Sequence, residues 1–239
     1  MLATLPNHLH SLAAFAQLFD HTLLKAEATP ADVRHLCAEA ERHGFKAVCV
    51  NPVYVALAAR ELRSQKVLPI TVIGFPLGAN RTDVKIDETL RAVGDGAREV
   101  DMVIGVGLYL SGERSAVRHD IAAVVRAAGN VPVKVILETG YLTTAQIEEL
   151  TWWCVEAGAA FVKTSTGFGP RGANVDDVRT MARAMTMTQG TIGIKASGGV
   201  RKLGDVLALV AAGATRIGSS ATVRILREFE EARAVSGPY

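Results

Sequence analysis

Residues 161–199 read FVKTSTGFGPRGANVDDVRTMARAMTMTQGTIGIKASGG: two short apolar runs, each carrying one lysine, flank a single helix-like segment. Phe161–Thr166 and Ile192–Ser197 have the length and apolar character of strands, and Asn174–Met187 has helical periodicity between them. Strand, helix and strand in that order form a βαβ unit, which implies two parallel strands. The same rhythm extends in both directions. Further strand-like runs lie at Leu18–Leu23, Ala47–Asn51, Ile70–Phe75, Val100–Val106, Val133–Glu138 and Thr215–Ser219, and helix-like stretches at Pro30–His43, Arg81–Asp95, Ser115–Ala128, Thr144–Glu156 and Lys202–Ala211. Thr29 before Pro30, and Thr143 or Thr144 with Glu148 and Glu149 following, read as helix starts. Gly44, Gly96, Gly129, Gly158 and Gly213 stand where helices should stop.

Eight alternating units predict an α/β fold, a (β/α)8 barrel in one domain spanning residues 1–239. An open doubly wound sheet is the alternative, but it usually carries a glycine-rich first βα turn, and DHTLLKAEATP has no glycine. The N-terminal helix falls within 1–16, and 230–239 reads as a loose tail because Ser236–Gly237–Pro238 breaks any helix.

With 239 residues, 49% of them hydrophobic, the chain is long enough for a large core. Its net charge of +2 comes from basic residues spread along the chain, so neither nucleic acid nor a membrane is an expected partner. The stretch LHSLAAFAQLF lacks the basic flank and cleavage site of a signal peptide. Cys37, Cys49 and Cys154 show no metal-ligand spacing and are odd in number, which suits a reduced, cytoplasmic protein with no metal.

Lys163 and Lys195 are hard to explain as structure. Lysine in a strand commonly snorkels to water, yet each of these is followed by small hydroxyl and glycine residues, Thr164–Gly167 and Ser197–Gly199, as at a strand end that opens into a polar loop. Burial lowers the pKa of an ammonium, and a neighbouring cation lowers it further, so two converging lysines can leave one amine free to form an imine. In a barrel the site lies at the C-terminal strand ends. Polar residues there are Asp20 and Thr22, Cys49 and Asn51, Asp101, Lys134 and Glu138, Lys163 and Thr166, Lys195 and Ser197, then Ser219 and Ser220. If Lys163 faces inward, Phe161 and Ser165 share its face while Val162 and Thr164 face the helices. Asp101, flanked by apolar neighbours, needs partners, and the two lysines are the obvious ones. A buried salt-bridge cluster that only specifies the fold is the competing explanation. The turns Ser197–Gly198–Gly199 and Gly218–Ser219–Ser220, after the last two strands, suit phosphate binding by backbone N–H groups.

The blocks DHTLLK at 20–25, VCVNP at 48–52, GFPLG at 74–78, EVDMVI at 99–104, KVILET at 134–139, FVKTSTGF at 161–168, KASGGV at 195–200 and ATRIG at 214–218 together resemble the 2-deoxyribose-5-phosphate aldolase family over nearly the whole chain. That resemblance implies cofactor-free, reversible cleavage of 2-deoxy-D-ribose 5-phosphate into D-glyceraldehyde 3-phosphate and acetaldehyde. It implies Lys163 as Schiff-base nucleophile, Lys195 as the neighbouring cation and Asp101 as the proton-relay acid/base. Asp20, Thr22, Cys49, Lys134, Thr166, Gly167, Ser197, Gly198, Gly199, Gly218 and Ser220 form the expected substrate-binding set. A homodimer is expected from the same resemblance. Gly105 and Ala221 depart from the family pattern, which favours asparagine and serine there. The sequence leaves open whether the terminal Tyr239 folds over the pocket and joins proton transfer, as C-terminal tyrosines do in some family members. A transaldolase-like enzyme using the same imine, or a barrel that binds phosphorylated metabolites without catalysis, are the alternative functions.

Overall fold

Eight parallel strands, β1 Phe19–Leu23, β2 Ala47–Val50, β3 Leu68–Ile73, β4 Glu99–Val103, β5 Val133–Ile136, β6 Phe161–Lys163, β7 Gly193–Ser197 and β8 Arg216–Ser219, follow one another around a closed barrel. The computed structural model describes residues 5–188 and 192–236. β1 closes on β8, with Asp20 opposite Gly218. The expected (β/α)8 barrel is therefore the observed fold. Outside it lie α1 Leu12–Ala16, α2 Pro30–His43, α3 Val55–Glu61, α4 Thr82–Gly94, α5 Val106–Leu110, α6 Arg114–Ala128, α7 Thr144–Glu156, α8 Val175–Thr188, α9 Leu203–Ala211 and α10 Thr222–Ser236.

Local sequence explains the boundaries. Thr29 accepts from Asp32 N while Asp32 accepts from Thr29 N, Pro30 opens the first turn of α2, and Gly44 ends it in the left-handed conformation at φ 68°. Thr143 caps α7 likewise, but its reciprocal partner is Gln146, at the third helical position, instead of Glu148 or Glu149. β4 ends at Val103, not Val106: the backbone leaves the extended region at Gly105, and α5 begins at Val106. α10 runs on to Ser236, so residues 230–236 of the expected loose tail are helical, while Tyr239 lies outside the described residues.

Strand alternation divides the interior into two parts. Val48 and Val50 of β2 join the large core between barrel and helices, whereas Ala47 and Cys49 point inward to a small apolar cluster with Ile70 and Val72 of β3. The remaining inward surface, from β4 round to β1, carries the buried charges Glu99, Asp101, Lys134, Lys163, Lys195, Arg216 and Asp20.

A second charged contact lies outside the barrel. Lys85 of α4 is buried, and its Nζ donates to Asp120 Oδ2 of α6 at 2.6 Å and to the Val103 carbonyl at 2.9 Å. Its stem fills the space that a side chain at Gly74 would need. Removing one member of a buried pair strands the other charge, so Lys85→Met should cost about 3–5 kcal/mol in urea unfolding. Lys85→Met combined with Asp120→Leu should recover much of that loss, because neither charge then remains buried.

Candidate active site

The barrel register brings the two lysines together. Lys163 is paired opposite Lys195 across β6 and β7, Lys195 opposite Arg216 across β7 and β8, and Asp101 opposite Lys134 across β4 and β5. All of these side chains are buried. Gly218 makes room for them, since a Cβ there would sit 3.1 Å from Lys195 Cε and 2.9 Å from Ser197 Cβ.

Asp101 is the hub. Its Oδ2 accepts from Lys163 Nζ at 2.7 Å and Lys195 Nζ at 2.6 Å, and its Oδ1 accepts from Lys134 Nζ at 2.8 Å. Lys195 also donates to Asp20 Oδ2 at 2.5 Å. Arg216 Nη1 donates to Asp20 Oδ1 at 2.8 Å and to Glu99 Oε2 at 3.0 Å, and Lys134 Nζ reaches that same Glu99 oxygen at 2.5 Å. The path Asp101–Lys195–Asp20–Arg216–Glu99–Lys134 therefore returns to Asp101, a closed ring in which three carboxylates alternate with three cations. Lys163 is attached to this ring by one ion pair with Asp101. Phe161 floors it, with Arg216 Cζ 5.1 Å and Lys134 Nζ 5.9 Å from the ring centroid.

These contacts split the ionisation behaviour of the two lysines. Burial pushes the Lys163 ammonium below its ordinary pKa, Lys195 adds to that effect, and Asp101 only partly opposes it. Burial acts on Lys195 too, but Asp101 and Asp20 together outweigh it and hold its pKa above the usual lysine value. The Asp101 carboxyl would rise on burial alone, yet Lys134, Lys163 and Lys195 keep it well below the carboxylate range. Asp20 is lowered in the same way by Lys195, Lys134 and Arg216. Burial pushes the Cys49 thiol up to about 11, which removes it as a thiolate nucleophile at neutral pH.

Above the ring opens a cavity of about 230 Å³. Lys163, Lys195, Thr22, Thr166 and Ser197 line it, as do Gly167, Gly198, Gly199, Gly218 and Ser220. Asp20, Asp101, Cys49 and Lys134, also expected at the site, lie below its lining, inside the barrel. Gly198 has φ 87°, and a Cβ there would press on Gly167 and Gly172, so the turn after β7 requires glycine. Ser197 Oγ donates to the Ser165 carbonyl at 2.6 Å, which ties that turn to β6.

Sequence reasoning named Glu138 among the polar strand-end residues but did not single out Lys25, Arg201, Glu99 or Arg216. Lys25 and Arg201 bring two more cations to the cavity wall. Glu138 is the one non-glycine residue with positive φ among the described residues, at 56°. Its buried carboxylate accepts from Thr166 N and Thr166 Oγ1, and Thr166 Oγ1 in turn accepts from Phe168 N at 3.0 Å, which anchors the loop after β6. Glu99 and Arg216 close the ring, and their signal was parity: Glu99 shares a strand face with Asp101, and Arg216 with Gly218.

The profile of the DeoC/LacD family aldolases matches residues 14–225. The chain belongs to the DeoC/LacD aldolase family. Within that family, the deoxyribose-phosphate aldolase of Thermoanaerobacter sp. is 48% identical over 219 residues, which is 90% of this chain and 97% of that protein. The enzyme of the same name from Carboxydothermus hydrogenoformans is 49% identical over 225 residues, 91% and 96% of the two chains. The tetrameric deoxyribose phosphate aldolase of Aeropyrum pernix superposes with a TM-score of 0.85 at 34% identity, covering 95% of each chain. The fold and the cavity thus belong to an aldolase.

Replacing Lys195 by methionine removes the cation that disfavours a charged Lys163 and leaves Asp101 with one partner fewer. Both changes favour the Lys163 ammonium, so its pKa should rise. In Lys195→Met, reductive methylation of the Lys163 peptide, followed by mass spectrometry against pH, should show its inflection at higher pH. An unchanged or lowered inflection would remove Lys195 as a contributor to the depression, leaving burial alone.

Proposed function

We propose that this aldolase cleaves 2-deoxy-D-ribose 5-phosphate reversibly to D-glyceraldehyde 3-phosphate and acetaldehyde, with Lys163 as the imine-forming nucleophile. The observation that carries this reading is the contrast between two adjacent buried lysines. Lys163 has a single carboxylate partner and a lowered pKa, whereas Lys195 has two carboxylate partners and a raised one.

The free Lys163 amine adds to C1 of the open-chain sugar, and loss of water gives a protonated imine. That cation is the electron sink, so the chemistry itself calls for no metal or organic cofactor. Acetaldehyde carries C1 and C2, so the bond that breaks is C2–C3. The C3 hydroxyl loses its proton, the C2–C3 electron pair moves into the imine, and glyceraldehyde 3-phosphate leaves behind an enamine. Protonation at C2 and addition of water then release acetaldehyde and restore the amine. Lys195 lines the cavity and holds positive charge beside the reacting nitrogen. Asp101, beneath both amines and held well below the carboxylate range, takes part in proton transfer through the lysines it anchors and cavity water. The Gly198–Gly199 and Gly218–Ser220 turns, with Lys25 and Arg201 on the same wall, suit the phosphate dianion.

A homodimer in the cytoplasm completes the reading. The dimer rests on the sequence resemblance alone, the Aeropyrum pernix relative being a tetramer, and three buried, free cysteines suit a reducing compartment. Among the described residues no helix is long and apolar enough to cross a membrane. Light scattering of the purified protein should give twice the chain mass, and a monomer or tetramer would replace this assignment.

Borohydride reduction in the presence of acetaldehyde should leave a two-carbon adduct on the Lys163 peptide. An adduct on Lys195 would reverse the two roles, and a folded protein that forms none would end the imine mechanism. Reaction with a ketose donor but not with acetaldehyde would point instead to transaldolase-like chemistry. Lys163→Arg keeps the charge but cannot form the imine, so turnover should be abolished.

A further inference from the structure

We infer that Glu99 and Arg216, at the closed end of the barrel, are positioning residues that set the protonation of Lys163 through the charge balance of the buried ring. The inference deepens the reading of Lys163 as the nucleophile. Glu99 and Arg216 are the first residues of β4 and β8, two positions and so about 6.6 Å deeper than Asp101 and Gly218 on the same strands. Neither lines the cavity, so neither touches substrate.

The geometry makes their influence electrostatic and collective. The six-membered ring is neutral by itself, because each of its carboxylates lies between two cations and each of its cations between two carboxylates. A protonated Lys163 is then a fourth positive charge against three negative ones, in an interior that disfavours unbalanced charge. Lys163 is the group best placed to give up its proton, since it lies at the mouth and has one ionic partner where every ring member has at least two.

Around Lys163, the Glu138 carboxylate at the end of β5 is engaged by Thr166, and Lys25 and Arg201 on the cavity wall add positive charge, so the balance falls to the ring. Asp101 faces it from β4, Lys195 from β7 and the neutral Cys49 thiol from β2. Behind these stand Asp20 of β1, Lys134 of β5, Glu99 of β4 and Arg216 of β8, while β3 contributes the apolar Ile70 and Val72. Neutralising Glu99 leaves the ring with a surplus positive charge and makes a charged Lys163 less favourable. Neutralising Arg216 leaves a surplus negative charge, which the Lys163 ammonium would balance, so the free amine becomes scarcer at any given pH. Two substitutions at neighbouring positions therefore have opposite consequences. Made together, they restore the balance.

The test follows the ε-carbon resonance of Lys163 against pH in protein labelled with [ε-13C]lysine, the signal being assigned by its absence in Lys163→Arg. Arg216→Met should move the midpoint up, and Glu99→Gln should move it down. Each shift should be about one pH unit, the order expected at an effective dielectric of about 20 for a unit charge roughly 10 Å away, Glu99 being three and Arg216 four ion-pair links from Lys163, and this is a tenfold change in free amine. Arg216→Lys should stay near the parent value, and Glu99→Gln with Arg216→Met should return to it. Folded single variants with unmoved midpoints, or shifts of the same sign, would overturn the inference. So would a double variant displaced further than either single one. If one single variant fails to fold, the sign of the other and the return in the double variant still decide the matter. Acetaldehyde trapping on the same proteins separates the two readings: shifts without an adduct would remove the imine mechanism and leave the charge balance standing.

Discussion

The closed ring of alternating charges inside the barrel is the constraint on which the rest of the site depends. Six ionised groups out of water are tolerable only if every one is paired on both sides, and the ring achieves this with links of 2.5–3.0 Å. Stability alone does not explain such an arrangement, since apolar side chains of similar volume commonly serve a core as well or better. The same barrel demonstrates the alternative: on β2 and β3 the inward positions are Ala47, Cys49, Ile70 and Val72. The charges occur on the side where Lys163 and Lys195 meet, which ties their presence to the chemistry of the amines.

Backbone freedom and aromatic packing hold the ring in place. Gly218 leaves room for the Lys195 stem, and Gly193 leaves room for the Phe161 ring, on whose face Arg216 and Lys134 rest. Higher in the barrel, Glu138 accepts an unfavourable left-handed conformation and uses its carboxylate to secure Thr166, on the cavity wall next to Lys163. Strain of this kind persists where the surroundings over-determine the conformation. Here they do so at the junction of β5 with the loop after β6.

The strand count, the direction of the strands and the pairing of Lys163 with Lys195 and Asp101 were all legible in the sequence. Each depends on short-range pattern: an apolar run, a helix signal, or a charged residue at a fixed parity. Lys134 was read as a residue of the binding set, but its position under Asp101 depends on the β4–β5 register, which no single strand reveals. Arg216 and Glu99 were missed for the same reason, because their partnership joins β8 to β4 across the barrel. The end of β4 was misplaced because Val103, Ile104 and Val106 continue an apolar pattern that strand and helix share, and the change occurs at Gly105. Lys85 and Asp120 gave no signal, since each lies on a helix whose exposed face also carries charged residues, Asp83, Asp87 and Arg91 on α4 and Arg114 and Arg118 on α6.

The proposed mechanism needs groups that exchange protons with substrate and groups that do not, and the ring separates them. A carboxylate that accepts from three lysine nitrogens is a weak base, so at neutral pH Asp101 is poorly suited to keep a proton taken directly from the C3 hydroxyl. Its value lies in fixing two amines a short distance apart, while Asp20 supplies the second carboxylate that favours charge on Lys195 over Lys163. The amines line the cavity and can shuttle protons with water, whereas Asp101 and Asp20 below, held low by their cations, favour the ionised form. Once the imine forms, its nitrogen carries the positive charge that the free amine lacked, next to the same Asp101 oxygen. The interior that disfavours a resting Lys163 ammonium must then hold a cation at the same atom, and the covalent bond to substrate is what offsets that cost. Such a site favours the unprotonated nucleophile before reaction and makes the protonated imine prone to discharge into the enamine, which is the direction that cleavage requires.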